Sequence, residues 1–243
     1  MTGLYCIADK NIEICSLYAK VQEYCKGYET TGIPDFSIVI SEDDIIFERE
    51  KSNQEHVFEN LPIPDFSEET LEITAVYRKI AEKMIDYDTF VFHGSVVAVE
   101  NQAFLFTAKS GTGKSTHTRL WREYLGERAV MVNDDKPLIN ISENGIMVYG
   151  TPWNGKHRLG RNICVPLKAL CILTRAEENH IEKISKSQAY AMLLQQVYRS
   201  QNPEKMQKTL ALIDKFADGV ELYRLGCNMS WQAVEVSYNG MKG

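Results

Sequence analysis

Ala103-Phe104-Leu105-Phe106-Thr107, then Ala108-Lys109-Ser110-Gly111-Thr112-Gly113-Lys114-Ser115, then a run of helical composition from Lys114 to Leu125, is the stretch that decides the fold. An apolar β-rich segment feeds a glycine-bearing loop that opens directly into a helix, the setting a phosphate-binding loop needs. Gly111 and Gly113 let backbone N–H groups converge on phosphate oxygens. The helix start adds its free N–H groups and the positive end of its dipole. In such a loop Lys114 reaches the β and γ phosphates, and the Ser115 hydroxyl is a Mg²⁺ ligand. Ala108 stands where the usual pattern has glycine; alanine is the smallest substitute, so strain is the expected cost. An ordinary Gly-rich turn with an exposed lysine would need neither the strand nor the helix.

Working outward, Asn133-Asp134-Asp135 follows the short apolar strand Ala129–Val132. Two adjacent carboxylates there can supply one Mg²⁺ contact and one proton acceptor for an incoming hydroxyl, although such a pair on its own is more often a solvated turn. Upstream, Phe92-His93-Gly94-Ser95 lies in the β-rich run Thr89–Val99, and Glu100-Asn101-Gln102 is a hairpin signal between it and Ala103–Thr107. A lone strand histidine is usually structural. Downstream, Gly150-Thr151-Pro152-Trp153-Asn154-Gly155-Lys156-His157-Arg158-Leu159-Gly160-Arg161 reads either as a surface loop over a buried Trp153 or as a mobile loop. In the second case it would bring Lys156, Arg158 or Arg161 onto a transferred phosphate or substrate.

The rest of the chain is read more coarsely. Leu4–Ala8, Ile12–Tyr18, Phe36–Ile40 and Ile45–Phe47 are strand-like, with Ser41-Glu42-Asp43-Asp44 as a turn. Residues 51–66, with Pro62 and Pro64, are the candidate linker, and a helix is expected from about Ser67 to Asp86. This divides the chain into a small β-rich region, 1–66, and a core, 67–243. Beyond the basic loop, strands are expected at Leu138–Ile141, Ile146–Tyr149, Ala169–Leu173 and Val220–Leu225. Helices are expected near Ser187–Tyr198, Pro203–Ala217 and Trp231–Tyr238.

Of 243 residues 44% are hydrophobic and 25% charged, which excludes wholesale disorder. The net charge of −6 argues against a general nucleic-acid or anionic-membrane binder. It is unevenly spread: residues 1–88 hold 8 basic and 19 acidic side chains, residues 89–243 hold 19 and 14. The acidic segment reads as a docking element for an acceptor or as a dimer contact, and a homo-oligomer stays open. Six cysteines without a C-x-x-C pair suit reduced core thiols. Without a membrane-length apolar run or a signal-like start, the expected compartment is the cytoplasm.

The order His93-Gly94, hairpin, Ser110–Ser115, Asp134-Asp135, Gly-and-basic loop resembles the catalytic domain of HPr kinase/phosphorylase. It resembles more distantly the nucleotide-binding core of ATP-dependent phosphoenolpyruvate carboxykinase. The resemblance implies a mixed α/β fold, an HPr kinase/phosphoenolpyruvate carboxykinase-like P-loop core with a small N-terminal β-rich extension. It implies ATP and Mg²⁺ as cofactors, with the nucleotide on Ser110, Gly111, Thr112, Gly113, Lys114, Ser115 and Thr116. Mg²⁺ would fall to Ser115 and Asp135. Asp134 would be the general base, His93 a metal or catalytic-site residue, and Lys156 with Arg158 or Arg161 the basic contribution of the loop. The implied activity is transfer of the γ-phosphate to a serine-type hydroxyl of a peptide, protein or small molecule. The alternatives are a non-catalytic nucleotide-binding regulatory module and a carboxykinase-like metabolic enzyme. The chain is shorter than the carboxykinases and lacks the HPr kinase signature after the basic loop.

Overall fold

The computed structural model describes residues 1–243 and divides into two compact units, Met1–Lys83 and Met84–Gly243. In the first, β1 (Thr2–Ile7) and β2 (Lys10–Cys15) form an antiparallel hairpin, α1 (Lys20–Tyr24) follows, and β3 (Phe36–Val39) adds to β2 in parallel. Two 17-residue helices complete it, α2 (Glu42–Phe58) and α3 (Glu68–Met84).

Helix α2 corrects the sequence reading twice. Ile45–Phe47 is helical rather than a strand, and the first half of the expected linker belongs to the same helix. Ser41-Glu42-Asp43-Asp44, read as a turn, is the helix start: Ser41 is the N-cap, its N–H donates to Asp44 Oδ2 at 3.0 Å, and three acids sit in the first turn. Turn residues and capping residues are the same short polar side chains, so the three-residue apolar run alone could not separate the two. The two compact units meet between Lys83 and Met84, at the last residue of α3, rather than at residue 66 ahead of it. Glu72 on α3 is fully buried and accepts the backbone N–H groups of Leu17 (2.5 Å) and Tyr18 (3.0 Å). Arg78 on the same helix pairs with Glu48 and, at 2.9 Å, with Asp44; Lys79 reaches Asp44 at 2.6 Å.

The second unit is a mixed α/β layer structure. Its strands are β4 (Thr89–Val91), β5 (Ser95–Val99), β6 (Gln102–Thr107), β7 (Ala129–Asn133), β8 (Leu138–Ser142), β9 (Gly145–Tyr149), β10 (Cys164–Arg175), β11 (His180–Lys183) and β12 (Glu221–Cys227). Its helices are α4 (Lys114–Leu125), α5 (Lys186–Gln196), α6 (Pro203–Gly219) and α7 (Trp231–Met241). The twelve-residue β10 ties the sheet together. Its start pairs with β9, and its remainder lies parallel to β6 on one side and β12 on the other. One arm runs β10-β9-β8-β4, the other β10-β6-β5-β7, and β11 closes the edge on β12.

Period-two alternation splits the side chains between two faces. Val96, Ala98, Leu105, Leu170 and Ile172 join Leu193, Leu212 and Phe216 of α5 and α6 in one apolar cluster. Val97, Val99, Phe104, Phe106, Ala169 and Cys171 join Leu120 and Trp121 of α4 and Val234 and Met241 of α7 in the other. The strand β11 was not foreseen, being half polar and largely exposed. No cysteine is disulfide-bonded; Cys25 and Cys171 are buried, while Cys164 is exposed rather than a core thiol. No helix is long and apolar enough to cross a membrane.

Candidate functional site

The β6–α4 connection is built as its sequence demands. Gly113, at φ 116°, is the N-cap of α4 in a left-handed conformation that a β-carbon would strain. No side chain caps that helix, so the first-turn amides face outward beside the loop. Ala108 is fully buried beside Phe106 and Leu120 and is not among the residues with positive φ, so alanine costs no backbone strain there. Arg175, at the end of β10, donates to the Gly111 carbonyl at 2.6 Å and braces the loop from outside. Lys114 Nζ folds back to within 3.5 Å of the Ala108 carbonyl, and burial lowers its pKa.

Asp134 and Asp135 follow β7 in a turn held by the fully buried Asn133. Its Oδ1 accepts the N–H groups of Asp135 and Lys136, both at 2.8 Å, and its Nδ2 donates to Thr151 Oγ1 at 3.0 Å. The Asp134 carboxylate accepts the Ser95 hydroxyl at 2.5 Å, and Ser95 Oγ also lies 2.9 Å from Thr118 Oγ1. Burial raises the Asp134 pKa, and hydrogen bonds from Ser95 and Ser115 pull the other way. Gly155, at φ 79°, lets the basic loop pass close by, since a β-carbon there would lie 3.3 Å from the Asp134 carbonyl oxygen.

His93 is not on a continuous strand. Residues 92–94 separate β4 from β5 because their backbone is bound elsewhere. Phe92 N–H donates to Pro137, Gly94 N–H to Asp135, and His93 N–H to Gln196 at 2.6 Å. That break turns the imidazole toward Asp135, with Nε2 3.5 Å from Oδ1. Burial, with Lys136 and Lys114 nearby, pushes the His93 pKa down to about 4, so at neutral pH this contact joins a neutral ring to a carboxylate and is not an ion pair.

These groups line one cleft of about 480 Å³ that includes His93, Gly111, Gly113, Lys114, Ser115, Thr116, Asp134, Asp135 and Lys156. Arg158 and Arg161 are exposed and do not line it, and Thr112 faces a neighbouring cavity of about 540 Å³ walled by Leu120, Leu173, Arg175, Cys227 and Met229. Ser110 is exposed on the loop and lines neither. Sequence reasoning missed Ser95, Thr118, Lys136 and Arg175, and gave His157 no role although it lies in the basic loop. Ser95 alone carried a usable signal, sitting two residues beyond His93.

Among solved structures, the Hpr(Ser) kinase/phosphatase from Coxiella burnetii is similar over 63% of this chain and 99% of that one, at 11% identity and a TM-score of 0.33. A likeness so slight carries neither fold nor activity across. No curated protein matches the sequence. Residues 59–231, well over half the chain, match the family described as SynChlorMet cassette protein ScmC, and the protein therefore belongs to the ScmC family.

Proposed function

We propose that the second unit is an ATP-dependent phosphotransferase that moves the γ-phosphate onto a hydroxyl. The observation that carries this reading is the meeting of a phosphate-cradling loop, two carboxylates and a histidine, drawn from three separate stretches of chain, in one cleft. The loop amides and Lys114 would hold the phosphates, and the apolar cavity beside Thr112 offers a wall for the nucleoside.

The donor set fits Mg²⁺. Ser115, Asp134 and Asp135 present only oxygen, and no cluster of three or more His, Cys, Asp and Glu side chains forms a closed cage. A magnesium ion held by one or two protein oxygens, with phosphate and water completing its shell, needs no more. Ser115 and Asp135 would hold it, and when bound it neutralises charge on the phosphates. Asp134 lines both this cleft and a further cavity beside it, whereas Asp135 lines the cleft alone. Asp134 therefore takes the proton from the acceptor hydroxyl, and its raised pKa makes it a stronger base near neutrality. His93 positions Asp135 as a neutral ring.

Two variants separate binding from chemistry. Lys114→Ala is expected to remove Mg-ATP-dependent thermal stabilisation. Asp134→Asn is expected to keep it while transfer from labelled ATP slows by roughly 10²-fold or more. A Lys114→Ala protein that responds to Mg-ATP like the parent would sink the loop assignment. Clear ATP binding with no phosphorylated product would leave a nucleotide-holding module instead.

A further inference from the structure

A cavity of about 580 Å³ opens beside the phosphate cleft and shares Ser115, Thr116, Asp134 and His157 with it. A molecule placed there has its reactive end at Asp134, next to the loop that would hold the γ-phosphate. Its remaining walls come from Thr118, Arg119, Arg122, Glu123, Met131 and Leu159.

The charges on those walls do not cancel. Arg119 donates to Glu123 at 2.7 Å and is neutralised by it, whereas Arg122, half-buried one helical turn along α4, has no ion pair or hydrogen bond. A guanidinium left unpaired inside a cavity is a fork of N–H donors suited to a planar carboxylate. A dianion such as a phosphate ester would face Glu123 and Asp134 as well, with one unpaired cation to offset it, so a single negative charge is the better match. Met131 and Leu159 supply apolar contact for the carbons that join that charge to the hydroxyl.

We infer that this cavity receives the phosphate acceptor, and that the acceptor is an alcohol bearing a carboxylate that Arg122 holds while the hydroxyl lies at Asp134. The inference rests on the kinase reading above and names its substrate class. In the transfer the acceptor oxygen bonds to the γ-phosphorus and the bond from that phosphorus to the β,γ-bridging oxygen breaks. The electron pair leaves with ADP, and the hydroxyl proton passes to Asp134. The carboxylate can belong to a small hydroxy acid or to an acidic side chain beside a serine in a peptide; the binding chemistry is the same.

The test uses the full chain with Mg²⁺ and a non-hydrolysable ATP analogue, and reads thermal stabilisation by millimolar probes in matched pairs. L-Serine is set against serinol, and the peptide Gly-Ser-Asp amide against Gly-Ser-Asn amide. The acidic member of at least one pair is expected to stabilise and its neutral twin not to, and which pair responds identifies the source. Arg122→Gln is expected to weaken the response roughly 10–100-fold in apparent affinity, and Arg122→Lys to restore part of it, with the nucleotide response unchanged in both. Equal response to acidic and neutral twins, no response to any probe, or an Arg122→Gln protein that matches the parent would overturn the inference while leaving nucleotide binding intact. Failure of the nucleotide analogue itself to stabilise the parent would instead overturn the kinase reading and this inference with it.

Discussion

Met1–Lys83 and Met84–Gly243 hold their charged groups in opposite ways. The first has 8 basic and 17 acidic side chains, net −9; the second has 19 and 16, net +3. In the first unit the charges that leave water are paired or, for Glu72, held by backbone N–H groups. Asp44 is partly buried, which opposes ionisation, yet hydrogen bonds from Lys79, Ser41 and Arg78 overcome this and bring its pKa down to about 2. Glu48 is buried against the same arginine. In the second unit the buried titratable groups are pushed toward neutrality. Burial takes His117 down to about 4, does the same for His93 with help from Lys136 and Lys114, and raises Asp134. Paired charges hold helices together, whereas the shifted titrations of His93 and Asp134, which share one cleft, are what a site for chemistry needs; His117 packs against Phe106 and Trp121 outside that cleft.

The hardest blow to this comparison would come from Arg78→Ala. It leaves Glu48 buried without a counter-charge and should cost about 3 kcal/mol. Amide hydrogen exchange read peptide by peptide should show lost protection in Met1–Lys83 alone. An equal loss in β5, β6 and β10 would mean that the ion-pair network does not belong to the first unit.

Acid should separate the units next. His117 has a folded pKa below its unfolded value, so the unfolded chain binds the proton more readily and stability falls as pH drops from about 6.5 toward 4. The loss should be on the order of 2 kcal/mol in the second unit. Asp44 is also depressed, from 3.8, so its contribution persists to about pH 4 and is lost only on the way to about 2. Protection in the second unit should therefore fail first on acidification, and simultaneous failure would erase the distinction.

The smallest effect sharpens the picture of Asp134. Ser95→Ala removes a hydrogen bond to its carboxylate and should cost about 1 kcal/mol in the second unit. Because that bond lowers the Asp134 pKa, its loss should raise it further and move the acid limb of the transfer pH profile upward. An unmoved acid limb would take Asp134 out of the proton transfer.

The hairpin between β5 and β6 was legible because Glu100-Asn101-Gln102 interrupts the two β-rich runs; in the structure Glu100 and Asn101 form the turn, both at positive φ, and Gln102 pairs with Val99. Helix α4 was legible to the residue, as its loop and apolar spacing agree. In the N-terminal unit the three strands and α3 were legible, but short polar residues cap helices and close turns alike, so α2 passed for a strand and a linker. Within the site, Lys114, Ser115, Asp134, Asp135, His93 and Lys156 were named and share a cleft, while Arg158 and Arg161, from the same basic run, face outward. A loop of mixed cations does not encode which of them lines the cleft.

By itself the sequence determined the strand–glycine loop–helix connection from β6 to α4, because strand, glycines, lysine and helix start lie within about two dozen consecutive residues and their geometry is local. Which groups meet that loop was decided only by the tertiary structure. His93 reaches Asp135 because the backbone of residues 92–94 is bound to Pro137, Asp135 and Gln196, and Ser95 at the start of β5 meets Asp134 after β7 and Thr118 on α4. Arg122 is left unpaired in a cavity because its neighbour Arg119 takes the only nearby acid on α4, a contest between side chains that no spacing in the chain announces.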